Sequence, residues 1–134
     1  MNIEILKKNV EQAVRIAIGK FAEFSGRSSR PEYWYFMLPV IVLMILANVL
    51  DSLLLNGMSV LGLIVALATL VPTLSAGARR LHDTDRSGWW LLIGLVPFIG
   101  AFGLIYLCCQ PGSPEANRFG PAPSSGAFGA LAQA

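Results

Sequence analysis

The fold is decided by the stretch Arg79-Arg80-Leu81-His82-Asp83-Thr84-Asp85-Arg86-Ser87-Gly88-Trp89-Trp90, which lies between two long apolar segments. We refer to residues 79–90 as the dodecamer. It contains the single histidine, three of the ten basic residues, two of the eight acidic residues and two of the three tryptophans. This concentration of polar chemistry between apolar segments predicts a position at a membrane interface. It also makes the dodecamer the first place to look for a functional site.

The composition is that of a membrane protein. Of the 134 residues, 54% are hydrophobic and 13% are charged, whereas a soluble domain carries about 25% charged residues. The mean hydropathy is +0.60. The length suits a single domain, and the composition excludes an ordinary soluble protein.

Charge almost disappears on either side of the dodecamer. Between residues 33 and 78 the only charged residue is Asp51, and residues 87–114 contain none. A helix that spans a bilayer needs about 20 mostly apolar residues. The sequence therefore predicts an all-α membrane domain over residues 24–120. Its three transmembrane helices are expected at about 33–54, 58–77 and 88–109. A re-entrant hairpin, broken near Pro97–Gly100, is the alternative for the third segment.

The regions outside the spans have their own signatures. Residues 1–23 are predicted as an amphipathic helix that lies in the membrane interface, the alternative being a helix packed on the protein itself. Its apolar residues recur at helical spacing: Ile3, Leu6, Val10, Ala13, Val14, Ala17 and Phe21. Ser29 and Glu32 have the spacing of a capping box, which predicts a helix that begins near Arg30. Residues 121–134 are rich in Pro, Gly, Ser and Ala, and are predicted to be a disordered tail.

The placement of Lys and Arg predicts the topology. Basic residues precede the first span and recur in the dodecamer, while the turn between the first two spans has none. The positive-inside rule then places the N-terminus and the dodecamer in the cytoplasm, and three spans place the C-terminus outside. Trp34, Trp89 and Trp90 fall at the cytoplasmic interface in this arrangement and are predicted as interfacial anchors.

Three motifs in order along the chain carry a family resemblance. They are Phe24-x-Gly26-Arg27-x-Ser29-Arg30-x-Glu32-x-Trp34, then Arg79-Arg80-Leu81-His82-Asp83-Thr84-x-x-Ser87-Gly88-Trp89-Trp90, and finally Pro111-Gly112-Ser113-x-x-x-Asn117-Arg118-Phe119-Gly120-x-x-Pro123. Together they resemble the bacterial family catalogued as domain of unknown function 805, over about residues 21–123. At Asp85 that family more often has glycine. The resemblance implies a small multi-span protein of the bacterial inner (plasma) membrane. It implies no reaction, cofactor or catalytic residue.

The dodecamer and the segment before the first span supply a candidate binding site. If the second span continues as a helix beyond the membrane, basic residues of the dodecamer share one face and meet arginines that precede the first span. The planar fork of arginine donates two hydrogen bonds to a phosphate at once, so the predicted ligand is an anion, a lipid headgroup or an acidic partner. The candidate residues are Arg27, Arg30, Arg79, Arg80, His82, Asp83 and Arg86. The alternative is that Arg27 and Arg30 pair with Asp83, Asp85 or Glu32 and lock the helices together, while the other basic residues only determine the topology.

Other chemistry has weaker signals. His82 and Asp83 could form an acid–base pair, but no nucleophile accompanies them. The run from Asp83 to Gly88 resembles the opening of an EF-hand loop, whose twelfth position requires Glu; here that position is Gly94. No cofactor or metal site is expected, and basic residues that alternate with acidic ones give no support to nucleic-acid binding. Asp51 is expected near the outer interface.

Three function hypotheses follow. The first is a non-enzymatic membrane interaction or envelope-associated protein, whose partners are the lipid bilayer and its anionic headgroups, a second copy of the chain or another membrane protein. The alternative is a subunit of a small oligomeric transporter or channel, with Asp51, His82 and Asp83 in its path. A membrane enzyme that uses His82 is the third.

Overall fold

The computed structural model describes residues 2–121 and is built from helices. Helix α1 covers Ile3–Gly19, α2 covers Arg30–Leu54, and α3 covers Val60–Asp83. A 3₁₀ helix follows at Gly88–Leu95, and α4 covers Ile99–Cys109. The predicted all-α class is thus confirmed for the described residues, where an isolated bridge between Asn117 and Gly120 is the one strand-like pairing. Except for Pro121, the predicted disordered tail lies outside the described residues.

Helices α2 and α3 form an antiparallel pair, with α1 packed beside them. The predicted start of α2 is confirmed: Ser29 is its N-cap residue, and the Ser29 hydroxyl accepts a hydrogen bond from the Glu32 N–H at 3.3 Å, one half of a capping box. A short turn reverses the chain between α2 and α3, and both Asn56 and Gly57 adopt positive φ there. Both helices extend beyond the predicted spans toward the dodecamer. In particular, α3 continues as a regular helix to Asp83.

Helices α2 and α3 are long and apolar enough to cross a membrane. The mean hydropathy of their most apolar windows is 2.3 and 2.0, and only 11% and 22% of those windows is buried within the protein. A core helix of a soluble protein would be mostly buried, whereas these two present wide apolar surfaces to their surroundings. Leu43, Leu46, Leu63 and Leu67, for example, are all at least half exposed.

The third apolar segment folds as a hairpin. The expectation of one continuous helix over about 88–109 is wrong, because the chain reverses between the 3₁₀ helix and α4. Pro97 has no N–H to continue a helical ladder, and Phe98 adopts a φ of +62° in the reversal. The two legs approach so closely that a Cβ on Gly100 would lie 1.8 Å from the Ile93 carbonyl oxygen. The segment therefore leaves from the end of α3 and returns toward it.

Helix α1 packs on the protein along one side. Ala13 and Ala17 are buried against Phe36 of α2 and Ala76 of α3. This packing matches the alternative stated for the N-terminal helix. Its apolar stripe is only partly used, however, since Ile3 remains 78% exposed. The predicted contact of this helix with the membrane interface stays a prediction.

Candidate functional site

The C-terminal end of α3 and the loop before α2 meet in a buried polar cluster. Arg79, Arg80, His82 and Asp83 are all buried at the end of α3, and Arg27 is buried beside them. We call Arg27, Arg79, Arg80 and Asp83 the arginine cluster. Burial of so many charged groups is rare unless they are paired or hydrogen-bonded. Their partners therefore decide what the cluster can do.

The Asp83 carboxylate joins two of the three arginines. Its Oδ1 accepts from Arg27, with the Nε at 3.0 Å and the Nη2 at 2.9 Å. Its Oδ2 accepts from Arg80 Nη1 at 2.7 Å. Both carboxylate oxygens are thus occupied in a charge-assisted arrangement, the strong class of protein hydrogen bond. Asp83 ties the loop before α2 to the end of α3.

The rest of the Arg27 guanidinium holds the C-terminal segment. Its Nη1 donates to the carbonyls of Glu115 at 2.8 Å and Gly120 at 3.1 Å, and its Nη2 donates to the Ser113 carbonyl. Ser113 is bound a second time, since its N–H donates to the Asp83 carbonyl at 2.7 Å. Residues 113–120 are therefore fastened to the cluster through their backbone.

The guanidinium of Arg80 caps the end of α4. Its Nε donates to the Cys108 carbonyl at 2.9 Å, and its Nη2 donates to the carbonyl of Gln110. The last carbonyls of a helix lack partners within the helix and carry the negative end of its dipole. Arg30 adds a weaker contact to the Cys109 carbonyl at 3.3 Å. A buried cation at this point satisfies both the carbonyls and the dipole of α4.

The guanidinium of Arg79 likewise binds backbone carbonyls, in this case those of the segment after α1. Its Nη1 donates to the carbonyls of Lys20 at 3.0 Å and Glu23 at 2.7 Å. Its Nε lies 3.4 Å from the Ser28 hydroxyl, and the Ser28 N–H in turn donates to the Arg79 carbonyl at 3.0 Å. The arginine cluster consequently binds both the connection between α1 and α2 and the segment that follows α4.

His82 borders the arginine cluster and is held on two sides. Its Nδ1 lies 3.0 Å from the Gly26 carbonyl oxygen, and because a carbonyl only accepts, that nitrogen carries the proton and donates. The Phe119 ring stacks on the imidazole at a centroid distance of 4.0 Å and an interplanar angle of 1°. Asn117 donates to the His82 backbone carbonyl at 2.9 Å. Among residues 2–121 no group of three or more His, Cys, Asp or Glu side chains could hold a metal ion.

The structure thus brings five of the seven predicted site residues together: Arg27, Arg79, Arg80, His82 and Asp83. Of the stated alternative, the pair of Arg27 with Asp83 forms. Arg30 instead contacts the Cys109 carbonyl, and Arg79 and Arg80 bind backbone carbonyls that the alternative did not include. Arg30 lies exposed at the edge of the cluster, and Arg86 is half-buried with no side-chain partner in the described part of the chain. Arg30 and Arg86 are therefore the predicted residues that keep guanidinium donors for an external ligand.

The C-terminal segment lies at the same end of the molecule as the dodecamer. Its contacts with Arg27, Arg80 and His82 hold it there. Up to residue 121 the chain therefore lies at the dodecamer end, and the membrane sides expected for the two termini stay predictions. The physical reason for this position is the hairpin, which turns the third apolar segment back on itself.

Sequence reasoning missed the residues that complete the cluster from the C-terminal motif. Ser113, Asn117 and Phe119 contact the dodecamer directly. Gly112 packs so tightly that a Cβ there would lie 1.9 Å from Asp83 Oδ2. The signal that could have found them was the third family motif, which contains all three residues. A motif that accompanies the dodecamer along the chain could have been placed against it in space.

Asp51 has a defined task at the opposite end of the α2–α3 pair. It is buried, and its two carboxylate oxygens accept from the backbone N–H groups of Leu61 and Gly62, each at 2.9 Å. Ser59, the N-cap residue of α3, makes no side-chain cap hydrogen bond. Asp51 therefore replaces the missing local cap from the neighbouring helix.

Two surface cavities flank the arginine cluster. A groove of about 470 Å³ is lined by Arg30, Pro31, Trp34, Tyr35, Leu38 and Ile41. A pocket of about 420 Å³ is lined by Phe24, Leu74, Ala78, His82, Ser87, Gly88, Trp89, Leu91 and Leu92. Each cavity thus contains one of the predicted tryptophan anchors. Trp89 is 78% exposed and Trp90 is 48% exposed, while Trp34 is half-buried against Tyr33.

The fold and the cluster define a class: a small helical protein with two apolar helices long enough to cross a membrane and a polar end that contains the arginine cluster and the dodecamer. We call this end the cap. The family model described as "Protein of unknown function (DUF805)" matches residues 21–121, and the chain belongs to this family. The chain is 42% identical to the Inner membrane protein YhaH of Escherichia coli (strain K12) over 107 residues, which cover 77% of this chain and 88% of that protein. It is also 42% identical to the Inner membrane protein YhaI of the same strain over 106 residues, which cover 79% and 90%. No solved structure shows significant similarity.

Proposed function

We propose that this protein is a non-enzymatic component of the bacterial inner membrane, with two spans, a re-entrant hairpin and a cytoplasmic cap that binds anionic phospholipid. The related proteins YhaH and YhaI are named inner membrane proteins, and α2 and α3 have the length and hydropathy of spans. The arginine cluster serves in this proposal as the internal scaffold of the cap. The lipid is bound by arginines that the scaffold does not use.

Charge placement supports a cytoplasmic cap. From Lys20 onward, every basic residue of the chain lies at the cap: Lys20, Arg27, Arg30, Arg79, Arg80, Arg86 and Arg118. The turn between α2 and α3 at the other end has none. With two spans and a returning hairpin, the positive-inside rule places this whole set, including Arg118, on one cytoplasmic side.

The dimensions of the hairpin support a re-entrant segment. The 3₁₀ helix has 8 residues and α4 has 11, so each leg is about 16 Å long at 2.0 and 1.5 Å rise per residue. The hydrocarbon core of a bilayer is about 30 Å thick, and the hairpin thus reaches roughly to its middle. Its tip is apolar, since Phe98 and Ile99 are both more than three-quarters exposed.

The observation that carries the lipid proposal is the groove beside Arg30. The exposed guanidinium of Arg30 lies at the end of the groove nearest the start of α2, with Trp34 beside it. Leu38 and Ile41 extend the groove along the apolar face of α2. A phospholipid has the same order of chemistry: a phosphate at the interface above acyl chains. Arg30 makes only the 3.3 Å contact with Cys109 within the described residues. Its remaining N–H donors are thus available to a phosphate.

The test compares Arg30→Gln with Arg118→Gln. Both residues are exposed arginines at the cap, but Arg118 lies outside the groove and pairs with Asp85 at 3.1 Å. We expect Arg30→Gln to weaken phosphatidylglycerol binding by about three- to tenfold, which corresponds to the loss of one hydrogen bond worth about 1 kcal/mol. Arg118→Gln should change it little. Binding is measured by native mass spectrometry of the protein in micelles, with phosphatidylcholine as the zwitterionic reference. Equal losses in the two variants would refute a specific groove.

A transport role has less support from the geometry. Asp51 and the pair His82 and Asp83 lie at opposite ends of the α2–α3 pair, and Asp51 uses both carboxylate oxygens to cap α3. Asp83 is equally occupied by Arg27 and Arg80. Groups that relay protons or bind solutes need accessible lone pairs, so Asp51 and Asp83 are better explained as structural.

A further inference from the structure

The pocket on the other side of the arginine cluster has a composition unlike the Arg30 groove. Its lining follows one face of α3 from Leu74 through Ala78 to His82, and the 3₁₀ helix forms the opposite wall with Leu91 and Leu92. No charged side chain lines it. Its volume of about 420 Å³ lies within the range of small-molecule sites, which are mostly apolar with a few placed polar groups.

The imidazole of His82 places a hydrogen-bond acceptor in this pocket. The Nδ1–H is committed to the Gly26 carbonyl, so Nε2 carries the lone pair in the neutral ring. A Cβ on Gly88, which is part of the pocket lining, would lie 3.6 Å from that Nε2. No protein donor binds Nε2 in the described residues, although His82 is only 8% exposed. Stacking on Phe119 fixes the direction of the ring.

The hydroxyl of Ser87 places a donor at the same end of the pocket. Its oxygen accepts from the Trp89 N–H at 3.3 Å, which leaves its own hydrogen for an acceptor. His82 and Ser87 together therefore offer one acceptor and one donor. A hydroxyl group matches that pair, since it donates once and accepts as well. A charged head is disfavoured, because it would lose its hydration in a pocket without a counter-charge.

The position of these two groups sets the orientation of the occupant. His82 and Ser87 are at the cap, and the apolar lining extends from them toward the middle of α3 and the hairpin. The rim contains Trp89 and Leu92, which are both more than half exposed. We propose that this pocket binds a membrane-soluble molecule with an uncharged hydroxyl head, which donates to His82 Nε2 while its apolar tail lies along Leu74 and Leu91.

The experiment uses the single histidine of the chain as its reporter. Full-length protein with ¹⁵N-labelled histidine, in phosphatidylcholine nanodiscs that supply no hydroxyl donor, gives one imidazole to observe. Farnesol is compared with farnesyl methyl ether, and 4-nonylphenol with 4-nonylanisole, because each ether keeps the tail and lacks the donor. We expect both hydroxyl probes, or one of them, to shift the Nε2 resonance and to bind about three- to tenfold tighter than the matched ether. The probe that binds tighter distinguishes an aliphatic alcohol from a phenol.

Two substitutions separate the pocket from the fold. In His82→Asn the side-chain amide can replace the Nδ1–H that donates to the Gly26 carbonyl, but it does not reach the position of Nε2. In His82→Gln the amide oxygen reaches the position of Nε2, and the contact with Gly26 is lost. For these variants, affinities are measured by competition with a radiolabelled hydroxyl probe. Asn should abolish the preference for hydroxyl over ether, and Gln should retain it even if it is the less stable protein. Equal binding of alcohol and ether by the unmodified chain overturns the proposal. So does loss of the preference in both variants or in neither.

Discussion

Each end of the α2–α3 pair is held by one buried aspartate, and the two ends differ in what that aspartate binds. Asp83 joins the guanidinium groups of Arg27 and Arg80, and Arg27 also binds the carbonyls of Glu115 and Gly120, 88 and 93 residues further along the chain. Asp51 binds two backbone N–H groups that follow it by 10 and 11 residues. One end is therefore a long-range charged cluster and the other a local helix cap. The end with the charged cluster therefore depends on all its segments at once, whereas the turn end depends on the contacts of Asp51 alone.

The largest effect is expected where the charged cluster is broken. Asp83→Asn leaves Arg27 and Arg80 buried without their counter-charge, and loss of one partner from a buried ion pair costs about 3–5 kcal/mol. The matched control is Asp85→Asn, which removes the same charge two residues away from an exposed pair with Arg118 and should cost about 0–1 kcal/mol. The free energy of unfolding is measured by titration with sodium dodecyl sulfate in mixed micelles. Equal stabilities would contradict the central position of Asp83.

The turn end should lose less when its aspartate is removed. Asp51→Ala leaves the Leu61 and Gly62 N–H groups without their acceptors, and loss of a helix cap costs about 0.5–2 kcal/mol. Asp51→Asn keeps one acceptor oxygen and should cost about half as much. Ser52→Ala, at the exposed neighbouring position, serves as the control in the same titration. A loss as large as that of Asp83→Asn would show that the two ends do not differ in the way proposed.

The same contrast explains which parts of the fold could be predicted from the sequence. Local signals were sufficient for α2, where Ser29 and Glu32 mark the start, and for the antiparallel partner that follows the Asn56-Gly57 turn. The meeting of Arg27 with the dodecamer followed from the two helices ending at one interface. The hairpin could not be predicted in this way. Hydropathy measures how apolar a segment is, and it has the same value for a continuous helix and for a hairpin.

The features that turn the hairpin act over distance. Gly100 matters because the Ile93 carbonyl lies against it, and Gly112 because Asp83 lies against it. Neither neighbour can be inferred from spacing along the chain. Arg118 was the available warning, since a basic residue beyond a third span would have lain on the outer side, against the positive-inside rule. The burial of Arg79 and Arg80 was equally hidden, because it depends on carbonyls supplied by the ends of α1 and α4.

The smallest effect concerns Asp85, in the turn that follows α3. Asp85 adopts a φ of +61° directly after α3, a left-handed conformation that glycine adopts freely and that costs other residues about 1–2 kcal/mol, with Asp and Asn least affected. Asp85→Gly relieves this cost but loses the exposed pair with Arg118, so the net change should be within about 0.5 kcal/mol. Asp85→Ala loses the pair and keeps the strain. It should therefore be less stable than Asp85→Gly by about 1 kcal/mol in the same titration. If alanine equals glycine, the conformation at residue 85 is not a constraint on the cap, and the ion pair with Arg118 becomes the reason for aspartate at this position.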